Sequence, residues 1–344
     1  MYTDFLITAP VGLLPVVIFL VALVYLDSYK LVGLKQVLWA IVAGGGVTVA
    51  GYFLNDVVLQ YLSIDFRSFA RYVSPVTEET LKALIIVYLF RTHRLAFLVD
   101  SAILGFAVGA GFAVVENLYY LYSAGHENVA IWIVRGFGTA IMHGGVTAIL
   151  AIVSQTLTER NMKINPLRYL PGLAAAIALH SLFNHFVLPP ILMTVSILAV
   201  LPPVLYIVFR KSAERMHAWL ELDFDADAQL LQQINSGEFA GTRIGRFLHD
   251  LKSRFEGPVL VDMLCYLRVY TELALRAKGV LLMRENGIEI GVGERTQEKF
   301  TELRFLEQSI GKTGLLVMRP FLHMTHKDLW QLNVLDNQAV KRRS

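Results

Sequence analysis

Glu78 and Glu79 stand side by side at the head of an apolar stretch, and Lys82 follows four residues after the first of them. Other apolar stretches carry Glu116 with Asn117, Arg135, His143, and His180 with Asn184. An ionisable side chain inside a membrane span costs about 2.5 to 3.5 kcal/mol on insertion scales, so such groups face a wet cavity, a partner or a substrate path. The types gathered here suit a hydrolysis. Carboxylates activate water, imidazoles bind or pass protons, and an amide stabilises an oxyanion.

Spacing argues that several of these groups converge. Glu78 and Lys82 are four residues apart, as are His180 and Asn184, so each pair shares a helix face. Glu116, inside Gly-Phe-Ala-Val-Val-Glu-Asn-Leu, has no partner on its own helix and reads as functional. At ~1.5 Å per residue from the expected outer helix ends, Glu79 lies about 6 Å deep, Glu116 about 9 Å and His180 about 10 Å. His143 comes out at about 20 Å unless its span begins above the membrane. Simpler duties compete with these. Lys82 serves equally as a neutralising partner for Glu78. Asp100 reads as a dipole-matching or snorkelling residue in a first helical turn, Arg135 as a headgroup or loop contact ahead of a role in the site, and His185 as bystander polarity.

The elements that must position these residues are membrane helices. The 344 residues are 55% hydrophobic with a mean hydropathy of +0.52. Charge is uneven: residues 1–209 hold 21 of the 59 charged side chains. Apolar runs near the ~20 residues of a span fall at about 5–26, 37–59, 75–90, 97–122, 130–157, 168–187 and 191–209. The first has Asp4 and no basic residue before it, unlike a signal peptide, and reads as a retained span. Ser74 and Pro75 suit the cap and first position of the third. Gly44, Gly45 and Gly46 suit close helix packing, since no phosphate-loop lysine follows.

The expected fold is therefore all-α, a polytopic membrane protein of about seven transmembrane helices over residues 1–209. A small, mainly helical cytoplasmic domain follows over 210–344. Its stripe of Leu260, Met263, Leu264, Leu267, Tyr270 and Leu273 repeats at three and four. Ile310-Gly-Lys-Thr-Gly lacks the earlier glycine and preceding strand of a phosphate loop, Gly287 suits a turn, and the terminal Lys341-Arg-Arg-Ser reads as a basic tail. Lys30, Lys35, Arg91, Arg94, Arg160, Lys163, Arg168 and the exit at Arg210, Lys211 and Arg215 lie in alternate connections, while the others carry only Arg67 and Arg71. This asymmetry places the amino terminus outside and the tail in the cytoplasm. The single Cys265 excludes an intrachain disulfide, and a net charge of +3 is too small to argue for nucleic acid.

The ordered set Glu78-Glu79-x-x-Lys82, Phe112-Ala113-x-x-Glu116-Asn117, Arg135 with His143 eight residues later, and His180-x-x-x-Asn184 resembles the PrsW family of intramembrane proteases. That family is related to the CAAX prenyl protease and bacteriocin-processing superfamily. The likeness covers about residues 70–190 and leaves the segment from 210 onward untouched.

The resemblance implies a peptide-bond hydrolase working inside the membrane. In it Glu78 or Glu79 is the general base, Glu116 shares or positions the water, and His143 and His180 hold the water and polarise the carbonyl. Asn184 is the oxyanion donor, Lys82 orients the glutamate pair, and Asn117 and Arg135 support the site. The family is often labelled metallopeptidase, and Glu116, His143 and His180 make a possible zinc set. The related superfamily also supports a metal-free glutamate mechanism, and no His-Glu-x-x-His helix is present to settle the choice; the metal-free reading is slightly preferred.

The implied setting is a bacterial inner membrane, with the lipid bilayer and a single-span or membrane-tethered protein as partners. An anti-sigma-factor-like regulatory substrate or a secreted peptide fits, as does a cytoplasmic partner for the soluble domain. A non-catalytic receptor or scaffold binding a transmembrane helix is the alternative, disfavoured because it need not keep both carboxylates and both imidazoles. A coupled transporter is disfavoured by the lack of an obvious inverted repeat.

Overall fold

The computed structural model describes residues 2–62, 64–123, 128–158, 165–286, 288, 294–318 and 322. Arg160, Lys163, the turn expected at Gly287 and the basic tail 341–344 lie outside the described residues. The chain divides into two compact units, Met1–Ser212 and Ala213–Ser344, and among the described residues every regular element is helical.

The first unit holds α1 (Tyr2–Tyr25), α2 (Leu34–Leu62), α3 (Ser74–Arg91), α4 (Leu98–Ser123), α5 (Val129–Thr158), α6 (Leu170–Asn184) and the start of α7 (Pro190–Ser236). Five of these, α1, α2, α4, α5 and α7, are long and apolar enough to cross a membrane. The expected third and sixth spans are present as α3 and α6 but fall short of that standard. Glu78, Glu79, Lys82 and Arg91 lower the hydropathy of the 18-residue α3, and α6 has 15 residues. The expected seventh span runs on past Phe209 to Ser236, because nothing breaks the helix until Gly237, whose φ of 78° takes the left-handed turn that ends it.

α4 is the axis of this unit, packed along α2 on one side and α5 on the other. Glycines permit the approach. A Cβ at Gly44 would lie 2.0 Å from the Val108 carbonyl oxygen, and one at Gly109 would lie 2.2 Å from that of His143, so the height of His143 is set directly against α4. Gly46, expected to share this duty, has open space around its Cβ position. The start of α4 is fixed by Asp100, which accepts from the backbone N–H of Ala96 at 2.9 Å and of Phe97 at 3.0 Å. Asp100 is buried, so it is a dipole-matching cap rather than a snorkelling side chain.

Ser74, expected as a cap, is itself helical, because a π-helical turn over Phe69–Val73 leads into α3. In that register the Ser74 N–H reaches the Phe69 carbonyl and Pro75, which has no N–H, falls opposite the Ala70 carbonyl. The Ala70 oxygen accepts from the Asn184 amide at 2.8 Å instead, and the neighbouring Arg71 oxygen accepts from the Ser181 hydroxyl at 2.6 Å. Polar side chains of α6 thus satisfy backbone groups that the turn leaves open, and this seats α6 against the head of α3.

In the second unit α8 (Arg243–Asp250), α9 (Gly257–Glu285) and α10 (Glu294–Met318) share one apolar core. Met263, Leu267, Tyr270 and Leu273 of the expected stripe are buried in it, with Leu260 and Leu264 packed at its edge. Ile310-Gly-Lys-Thr-Gly lies within α10, where Gly311 breaks the helix at a φ of 69°.

Candidate active site

Four helices bring the polar residues together. α3 supplies Glu78, Glu79 and Lys82, α4 supplies Glu116 and Asn117, α5 supplies Arg135 and His143, and α6 supplies His180. His143, which simple depth counting set apart, joins the rest. α5 begins at Val129 and passes through a π-helical segment, Val134–Thr139, that carries Arg135 before His143 is reached.

The floor of the site is Glu79 with Lys82, both with fully buried side chains. Lys82 Nζ donates to Glu79 Oε1 at 2.7 Å, lies 2.9 Å from His143 Nδ1 and sits 4.0 Å from the centre of the Phe112 ring. Lys82 therefore pairs with Glu79 rather than with Glu78. The same Glu79 oxygen lies 2.8 Å from His180 Nδ1. A carboxylate only accepts, so His180 carries a proton on Nδ1 and, when neutral, has a lone pair on Nε2. An ammonium only donates, so His143 accepts at Nδ1 and, when neutral, carries its proton on Nε2. The two imidazoles stand nearly perpendicular, at 88°, with centres 4.7 Å apart.

Glu78 is held differently. Its Oε1 accepts from the Ser74 hydroxyl and lies 3.4 Å from Asn55 Nδ2, whose amide oxygen in turn accepts from Thr77. Its Oε2 is buried, has no hydrogen-bond partner among the described residues, and lies 4.0 Å from His180 Nε2. On the opposite side Glu116 Oε2 lies 3.4 Å from His143 Nε2 and 3.3 Å from Arg135 Nη2. Arg135 Nε donates to Asn117 Oδ1 at 3.0 Å, and Asn117 Nδ2 donates to the Gly12 carbonyl at 2.8 Å. Arg135 is thus a member of the cluster and not a headgroup contact alone.

Among the described residues, Asn184 and His185 are not drawn in. Asn184 donates to Ala70, and His185 Nδ1 lies 2.6 Å from the Ser181 carbonyl with its ring edge-on to Tyr72. Asn55, Ser74 and Tyr120 belong to the surroundings of the site without having been singled out by spacing.

The donor chemistry suits a divalent ion. Glu78, His143 and His180, with Glu78 in place of the expected Glu116, each offer a ligand atom, all within 4.8 Å of one another. Glu79 against His180 Nδ1 is the outer partner that such a ligand requires. The tension is at His143, which offers Nε2 to a metal only when its proton moves to Nδ1, against Lys82.

Residues 33–209, more than half of the chain, match the family model described as PrsW family intramembrane metalloprotease. No curated protein and no solved structure matches the chain.

Proposed function

The chain belongs to the PrsW family of intramembrane proteases, and from that premise we propose that it hydrolyses a peptide bond of a single-span or membrane-tethered protein. It is a multi-pass membrane protein. The working surface in this reading faces the outer side of a bacterial inner membrane, with the carboxyl-terminal unit in the cytoplasm. The basic residues at Lys30 and Lys35, at Arg91 and Arg94, and at Arg210, Lys211 and Arg215 within α7 support that orientation, provided that α3 and α6 also cross.

The observation that carries the reading is Glu78 Oε2, a buried acceptor without a partner among the described residues, turned toward His180. Its 4.0 Å separation from His180 Nε2 is too long for a hydrogen bond and short enough for one water to reach both. In the proposed reaction that water's oxygen forms a bond to the carbonyl carbon of the substrate while its proton passes to Glu78. The carbonyl π pair moves onto oxygen. When the pair returns, the C–N bond breaks and Glu78 delivers that proton to the departing amine.

Glu79 does not act on the substrate; with Lys82 it fixes the tautomer and direction of His180. His143, with its proton on Nε2, faces Glu116 Oε2 at 3.4 Å. Zinc, when bound, would be held by Glu78, His143 and His180 and would supply Lewis-acid activation of the water, leaving Glu116 to take the proton. The His143 tautomer set by Lys82 favours the glutamate route.

Cleavage of co-reconstituted single-span proteins by wild type, Glu78→Gln and Glu116→Gln, with and without chelator, tests the proposal. Wild type should cut and Glu78→Gln should not. If Glu78→Gln cuts as fast as wild type, the assignment fails. A regulatory substrate of anti-sigma-factor type is the class we favour for the screen.

A further inference from the structure

We propose that Arg135 is the oxyanion donor of this site, with Nη2 facing the oxygen of the scissile carbonyl; the inference rests on the hydrolytic reading above and adds a catalytic residue to it. Nη2 is buried, makes no hydrogen bond among the described residues, and lies 3.3 Å from Glu116 Oε2. The remainder of the guanidinium is clamped. Nε is bonded to Asn117, and Cζ lies 3.7 Å from the centre of the Tyr120 ring. A planar cation held at Nε and over one face presents Nη2 in a set direction.

Location supplies the second argument. The side chains of Glu79 and Lys82 are 0% exposed, whereas those of Arg135 and Glu116 are 17% and 22% exposed. Lys82 is thus closed in at the floor by Glu79, His143 and Phe112, and Arg135 is the cation of this cluster that a substrate backbone meets on entering. Asn184, the amide whose type suits the duty, already donates to Ala70. Arg135 also stands on a π-helical segment, a feature frequent at functional sites. That segment is seated tightly: a Cβ at Gly136 would lie 2.0 Å from the Val11 carbonyl oxygen.

The chemistry needs such a donor. As the water oxygen bonds to the carbonyl carbon and its proton moves to carboxylate, the π pair becomes a negative charge on the carbonyl oxygen. The Nη2–H bond donates to that oxygen until the pair returns and the C–N bond breaks. In the resting site Nη2 has only the loose ion pair with Glu116. A full hydrogen bond then forms with the intermediate and not with the substrate, which is the differential contact that lowers a barrier.

The test compares two ligands of the chelator-treated, full-length protein: a capped alanyl-leucine phosphinic pseudodipeptide, whose tetrahedral oxygen is anionic, and the matching amide. Wild type should bind the phosphinate at least tenfold more tightly than the amide. Arg135→Gln should lose that preference while keeping its affinity for the amide, and Arg135→Lys should restore part of it. An unchanged preference in Arg135→Gln, or equal binding of the two ligands by wild type, overturns the assignment. If both variants lose the amide as well, Arg135 is a scaffold residue and the proposal fails. Cleavage by Glu78→Gln alongside an intact phosphinate preference would instead sink the base assignment and leave that of Arg135 standing.

Discussion

His180 Nδ1 lies 2.8 Å from Glu79 Oε1, and this contact separates the duties of two adjacent glutamates that look alike in sequence. Glu79 commits Oε1 to both His180 and Lys82, leaving Oε2 without a hydrogen-bond partner among the described residues, whereas the open Oε2 of Glu78 is the one turned toward His180 Nε2. Glu79→Gln should therefore lower kcat by about 10- to 100-fold, as expected for an outer partner of a working histidine. Glu78→Gln should reduce cleavage to background, which a time course on one reconstituted substrate would show side by side. Equal losses would refute the division.

The metal question is open to a direct measurement. With Lys82 donating to His143 Nδ1, cleavage should persist after chelation, and purified protein should carry less than stoichiometric zinc by elemental analysis. Loss of activity that returns on adding zinc would reassign Glu78 from base to ligand.

Asn184 and Ser181 secure α6 to the π-helical turn before α3 through the Ala70 and Arg71 carbonyls. Asn184→Ala leaves a backbone acceptor without its donor, and a stability loss of about 1 to 3 kcal/mol should follow. Its kcat should fall less than tenfold. A fall of about 10²- to 10³-fold with unchanged melting would mark an oxyanion donor instead.

Gly109 packs against the backbone at His143, so Gly109→Ala should force α4 and α5 apart. Overpacking of this kind costs about 1 to 3 kcal/mol, and here it also displaces an imidazole of the site. Both melting temperature and cleavage should drop, whereas Gly46→Ala, which meets open space inside a helix, should lower neither.

In the second unit Leu267 is fully buried among the side chains of one core. Leu267→Ala should cost about 2 to 5 kcal/mol there. Limited proteolysis should then release fragments from 213–344 while the first unit resists.

The sequence by itself determined which residues are candidates for the chemistry, because an ionisable group in an apolar helix is costly enough to signal a purpose. Glu78, Glu79, Glu116, His143 and His180 were all legible on that ground, and the helices that bear them followed from apolar run lengths. The tail's buried stripe was legible in the same way, from spacing at three and four.

Tertiary structure decided which partner each of those residues meets. Spacing along one helix pairs Lys82 with Glu78, but the packed side chains pair it with Glu79. Spacing put Asn184 on the face of His180, but Pro75 and the π-helical turn before it leave a carbonyl at Ala70 that the amide satisfies. Arg135 looked like an interfacial residue until the π-helical segment of α5 carried it into the cluster. The physical reason is common to all three. Periodicity fixes which way a side chain leaves its own helix, whereas the partner it meets depends on helix rotation and on local departures from the α register, and these are set by neighbouring helices.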